Sequence, residues 1–166
     1  VSDFLNDMIV YRNLAPVDGR LPSLDALRPE LGLPAHVIPR KNEADYARAV
    51  MGILQHARQL TAPGAAIQRV IFLGDTRLLD STAFANICAA GGWPGIAFIG
   101  AENSSAPKVE LETMPGGQRL FLSNRWAALD DCLAAELGLP SFPAYCAEQG
   151  FSIDPGAVLL IDLDKT

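Results

Sequence analysis

Arg69-Val-Ile-Phe-Leu-Gly-Asp-Thr-Arg-Leu-Leu-Asp80 begins with a β-branched and aromatic run that stops at Gly74-Asp75, and Gly95-Ile-Ala-Phe-Ile-Gly100 is a second apolar run of similar length. Between them Ala83, Phe84, Ile87, Cys88 and Ala90 recur at helical spacing, and Gly91-Gly92 ahead of Trp93-Pro94 breaks the pattern. Strand, helix, strand in this order predicts a βαβ unit, and with it a three-layer α/β/α fold built on a mostly parallel, Rossmann-like sheet. Ligands of such sheets bind beyond the carboxyl ends of the strands, which is where Asp75 stands.

Gly74-Asp75 followed by Asp80 resembles the acidic GDxxxxD metal motif of the haloacid dehalogenase-like (HAD) hydrolases. Val158-Leu-Leu-Ile-Asp162-Leu-Asp164-Lys-Thr166 resembles the nucleophile motif of the same superfamily, a hydrophobic strand followed by DxDxT. The resemblance implies a Mg²⁺-dependent phosphohydrolase acting on a small phosphorylated metabolite. Asp162 would be the nucleophile, Asp164 the acid and base, and Lys41, or its neighbour Arg40, the cation that screens the phosphate. Asp75, Asp80 and Asp162 would hold Mg²⁺, with Thr166 and Gly74 as substrate-binding positions.

The chemistry suits these residue types. A carboxylate can attack phosphorus and split one displacement into two. A second carboxylate two residues on can protonate the leaving group and then activate water. Mg²⁺ takes oxygen ligands and needs few from the protein. Two carboxylates straight after a buried strand are costly unless paired or bound to metal.

The motif order departs from the family, in which DxDxT comes first. Here Lys41 and Asp75 precede Asp162, and no Ser/Thr phosphate motif ends an apolar strand; residues 8–11 are followed by Arg12 and Asn13. Three arrangements accommodate this: a HAD domain that starts near Val158 behind an accessory α/β domain, two HAD-like pieces in tandem, or a circular permutation. The first is expected, with residues 1–156 as an α/β HAD-like or accessory domain and residues 157–166 as the strand that carries DxDxT and starts a further domain. On that reading the 166 residues alone are inactive. A rival of another class is a non-catalytic Rossmann-like accessory or regulatory module in which Asp75 and Asp80 only cap a helix. A phospho-accepting receiver domain also keeps acids at strand ends, but its acidic pair belongs on the first strand.

Bulk properties narrow the field. With 166 residues and 49% hydrophobic content the chain can build a proper core. A net charge of −6 argues against nucleic-acid partners, which require clustered Lys and Arg, and suits a divalent cation. No apolar run approaches the roughly 20 residues of a membrane span. Val1-Ser-Asp-Phe-Leu-Asn-Asp has no basic region ahead of an apolar core and does not read as a secretory signal. Cys88, Cys132 and Cys146 lack metal or disulfide spacing, which predicts buried thiols and a reducing, cytoplasmic setting.

Elsewhere the pattern predicts a short strand at 8–11, a helix after Ser23, a short strand at 36–38, and a helix capped by Asn42 that leads into residues 70–73. In that helix Met51 reads as packed and His56 as solvent-exposed. Residues 108–113 and 118–122 flank Met114-Pro-Gly-Gly117, whose Pro-Gly favours a type II turn, and read as a hairpin or a pair of antiparallel edge strands. A helix capped by Ser123 or Asn124 runs to Leu137, with Leu129, Cys132, Leu133 and Leu137 facing inward. Another short helix spans 145–149, and the apolar run 157–161 reads as a buried central strand.

Overall fold

The computed structural model of this chain describes residues 8–162. In chain order these form α1 (Leu24–Leu31), α2 (Ala44–Thr61), β1 (Arg69–Gly74), α3 (Arg77–Gly91), β2 (Gly95–Gly100), β3 (Val109–Thr113) and β4 (Arg119–Ser123). A 3₁₀ turn (Trp126–Leu129), α4 (Asp131–Glu136), α5 (Phe142–Glu148) and β5 (Ala157–Ile161) complete them. The five strands make one sheet in the order β3-β4-β2-β1-β5. β1 is parallel to both β2 and β5, β2 is parallel to β4, and only β3 runs antiparallel. The carboxyl ends of β1, β2, β4 and β5 therefore emerge at one edge.

The layers follow from strand alternation. Val70, Phe72, Ala97, Ile99, Leu120 and Leu122 point to one face and pack under Phe84 and Cys88 of α3. Ile71, Ile96, Phe98 and Phe121 point to the other, against Ala128, Phe142, Tyr145 and Cys146. α2 lies along α3, and a separate cluster of Leu24, Leu27, Ala49 and Ile53 joins it to α1. This is the expected three-layer α/β/α arrangement. Among the described residues no helix is long and apolar enough to cross a membrane.

Several local expectations are corrected. Residues 8–11 make only an isolated bridge, Val10 to Pro16, because a proline has no N–H for a ladder. Residues 36–38 form no strand: His36 has φ +61°, and Arg28 takes the carbonyls of Pro34 and Val37. α2 is capped by Glu43, whose carboxylate accepts the Arg40 N–H at 2.8 Å, rather than by Asn42.

The β3–β4 hairpin forms as expected, but its turn is not type II. Gly117 donates to the Met114 carbonyl at 2.8 Å, and the positive φ, +81°, falls on Gly117 instead of Gly116. A type I turn followed by a left-handed glycine matches the twist of the flanking strands.

The expected helix from residue 123 to 137 is split. The Asp130 carboxylate accepts the N–H groups of Cys132 and Leu133 at 2.9 and 3.0 Å and starts a new helix, α4, there. Cys132, Leu133 and Leu137 consequently face solvent, and Cys132 is not a buried thiol. The run at 157–161 is an edge strand among the described residues, with Leu159 and Ile161 about two-fifths exposed, instead of a central one.

Candidate functional site

β1 and β5 end side by side. Their register pairs Leu73 with Ile161, and Asp162 N–H donates to the Leu73 carbonyl at 2.9 Å, so the ladder carries Asp162 to the point where Gly74-Asp75 leaves the sheet. The chain then enters α3, whose first turn supplies Asp80. The result is three carboxylates, from Asp75, Asp80 and Asp162, with one oxygen each lying within 4.8 Å of the others. Residues 75 and 162 are distant in sequence and adjacent in space.

Asp80 is only 1% exposed, and its hydrogen bonds account for both oxygens. Oδ2 accepts the backbone N–H groups of Asp75 and Thr76 at 2.8 and 2.7 Å, and Oδ1 accepts from Lys41 Nζ at 2.6 Å. Gly74 makes room for this: a Cβ there would lie 2.6 Å from Asp80 Oδ2 and 2.9 Å from Asp80 Cβ. The side of Gly74 where a Cβ would stand is thus filled by the Asp80 side chain.

Lys41 sits in the turn ahead of α2 and bridges two of the acids, donating to Asp80 and to Asp162 Oδ2. Burial alone would lower its pKa, but hydrogen bonds and charge from Asp162 and Asp80 outweigh that and hold it raised. The Asp162 carboxyl is raised, chiefly by burial and further by the Asp80 charge, against the opposing pull of Lys41. Among the described residues Lys41 bridges two members, Asp80 and Asp162, of a cluster of three carboxylates. Clustered carboxylate oxygens are a donor set that a divalent cation can take.

Lys41, Asp75, Asp80 and Asp162, chosen from motif resemblance, come together in one place. Arg40 is exposed, and no side-chain bond ties its guanidinium to the cluster. Asp164 and Thr166 lie outside the described residues. Thr76 was not legible as a participant, yet its hydroxyl donates to Asp75 Oδ1 at 2.8 Å and its N–H to Asp80. A Thr between GD and a helix is an available signal, since hydroxyls there commonly bond neighbouring side chains and backbone.

No protein-family model, curated protein or solved structure matches this chain. The functional reading therefore stands on the site geometry and on the motif resemblance.

Proposed function

We propose that this chain carries the site of a Mg²⁺-dependent phosphohydrolase of HAD type that acts on a small phosphorylated metabolite through an aspartyl-phosphate on Asp162. The observation that carries the reading is the convergence of Asp75, Asp80 and Asp162 at the carboxyl edge of parallel strands, with Lys41 among them.

The donor set fits the ion. All candidate ligands are hard carboxylate oxygens, as Mg²⁺ requires. Asp80 is already committed to Lys41 and two backbone N–H groups, so Asp75 and Asp162 are the direct ligands and Asp80 holds Asp75 and Lys41 in place. Bound Mg²⁺ would neutralise phosphate charge and stabilise the charge that develops on the transferring phosphoryl group.

The chain's own residues supply the rest. An Asp162 oxygen attacks phosphorus as the bond to the leaving oxygen breaks, and Asp164 gives that oxygen its proton. Asp164 then takes a proton from water as the water oxygen attacks the same phosphorus, releasing phosphate and restoring the Asp162 carboxylate. Lys41 orients Asp162 and offsets its charge.

Phosphate release from p-nitrophenyl phosphate with and without Mg²⁺ tests the reading. Turnover should need the metal and vanish in Asp162→Asn; full activity in that variant would sink the assignment. A second reading, a non-catalytic accessory module, is favoured by the same complete engagement of Asp80, which a purely structural staple between α2, α3 and β5 would also show. It requires that Mg²⁺ not bind at all.

A further inference from the structure

Asp75 borders a second feature besides the acid cluster. With Gly100, Ala101, Glu102, Asn103 and Trp126 it lines a cavity of about 320 Å³ at the same edge of the sheet. That volume suits a small molecule.

The cavity has a built aromatic wall. The Trp126 ring rests on the end of β2, where a Cβ on Gly100 would lie 2.6 Å from its Cε2. Phe98 supports the ring with centroids 5.3 Å apart. The backbone N–H of Trp126 donates to Glu102 Oε2 at 2.9 Å, which ties the wall to a carboxylate. Trp126 keeps 37% of its surface exposed, whereas Phe98 behind it has none.

Among the described residues the charge on the lining is one-signed: its ionisable members are Asp75 and Glu102, with no Lys, Arg or His. Arg125 approaches Glu102 Oε1 at 3.5 Å, but its guanidinium also donates to the carbonyls of Asn103, Asn124 and Ser105. The Asn103 amide is partly engaged, with one Nδ2 N–H on the Ala101 carbonyl and Oδ1 accepting from Ser105 and Asn124. A neutral planar ring could stack on the indole but would draw nothing from the negative charge of the lining. A cation gains from both the ring face and the carboxylate.

We propose that this cavity is the leaving-group subsite, that it takes a small primary or quaternary ammonium headgroup, and that the substrates are phosphate monoesters of amino alcohols. The headgroup site stands on the cavity itself; the substrate class rests on the phosphohydrolase reading.

The probe is choline, compared with its uncharged isostere 3,3-dimethyl-1-butanol at constant ionic strength. The chain has two tryptophans, so Trp93→Phe leaves Trp126 as the sole indole reporter; calorimetry on the unmodified chain serves if that variant fails to fold. Choline should give a saturable signal about tenfold tighter than the isostere. Glu102→Gln, which keeps an oxygen for the Trp126 N–H, should weaken choline by about fivefold or more while leaving the isostere unchanged. Equal binding of the two probes, no saturable binding of choline, or tighter binding of adenosine would overturn the subsite.

Hydrolysis of phosphocholine and phosphoethanolamine against glycerol phosphate, with Mg²⁺, forms the second arm. Choline binding without hydrolysis of any ester would overturn the substrate class and the phosphohydrolase reading while supporting the headgroup site. Hydrolysis of glycerol phosphate with no preference for the amino-alcohol esters would overturn this proposal and leave the phosphohydrolase reading intact.

Discussion

Lys41 Nζ lies 2.6 Å from Asp80 Oδ1 across 39 residues of chain, and this contact fastens the turn before α2 to the first turn of α3. Asp80 is buried, so deleting its cation leaves a charge that water cannot reach. Lys41→Met should therefore destabilise the fold by about 3 kcal/mol, the usual scale for breaking a buried pair. Urea unfolding monitored by circular dichroism measures it. A cost near zero would mean that Asp80 is satisfied by its two backbone donors alone.

Metal linkage separates the roles of the acids. If Asp75 and Asp162 are the ligands, Mg²⁺ at ten times its dissociation constant should stabilise the chain by about 1.4 kcal/mol, visible as a rise in Tm of a few degrees. Asp75→Asn and Asp162→Asn should each abolish the rise. Thermal scans across a Mg²⁺ series give the result, and a rise that survives both substitutions would place the ion elsewhere.

Gly74 is where local sequence and site geometry meet most tightly. Its hydrogen admits the Asp80 carboxylate, and the Cβ of Gly74→Ala would stand 2.6 Å from Asp80 Oδ2 and 2.7 Å from Phe72 Cε1. Such overpacking should cost about 1–3 kcal/mol. It should also displace Asp80 from the N–H groups of Asp75 and Thr76, so Mg²⁺ affinity should fall along with stability. Parallel calorimetric and unfolding measurements test the coupling; a loss of stability with intact Mg²⁺ affinity would contradict it.

The βαβ unit was legible because its signals are local: two short apolar runs, a helical period between them, and glycine at each break. The acid cluster was legible only through motif resemblance. No spacing rule brings residue 162 beside residue 75; the β1–β5 ladder does so, through the pairing of Leu73 with Ile161. Apolar content misled at residues 157–161, since an all-apolar strand says nothing of how many neighbours it has. Helical period misled at residues 123–137, where the Asp130 carboxylate captured two N–H groups and restarted the helix. The Trp126 cavity left no pattern to read, because its walls come from the carboxyl ends of three strands, β1, β2 and β4, and the segments that follow them.

Among the described residues β5 is an edge strand, with Leu159 44% and Ile161 39% exposed and the partly buried Leu73 on its inner side. Unpaired, apolar edges template association with other chains. The chain should accordingly show concentration-dependent self-association, and Leu159→Lys should suppress it with a change in stability of no more than about 0.5 kcal/mol. Light scattering across a concentration series provides the readout; unchanged association in the variant would assign it to another surface.

Burial of two of the three thiols sets the sign of the alkaline pH dependence. Cys88 packs between α3 and the sheet, where burial pushes its pKa from 9.0 up to about 12; burial likewise pushes Cys146, against the opposite face, up to about 11. Since each folded value lies above the unfolded one, these groups stabilise the fold fully below pH 9 and progressively less as pH rises through 11 and 12. Unfolding free energy should fall steeply above pH 9, and Cys88→Ala/Cys146→Ala should flatten that fall while lowering stability at pH 7 through lost packing. At pH 8 in native buffer a maleimide should label Cys132 alone, because Cys132 is exposed and the other two thiols are buried. Mass spectrometry of labelled peptides reads this directly, and rapid modification of Cys88 under native conditions would mean that α3 opens away from the sheet far more often than its packing against Val70, Phe72 and Ala97 allows.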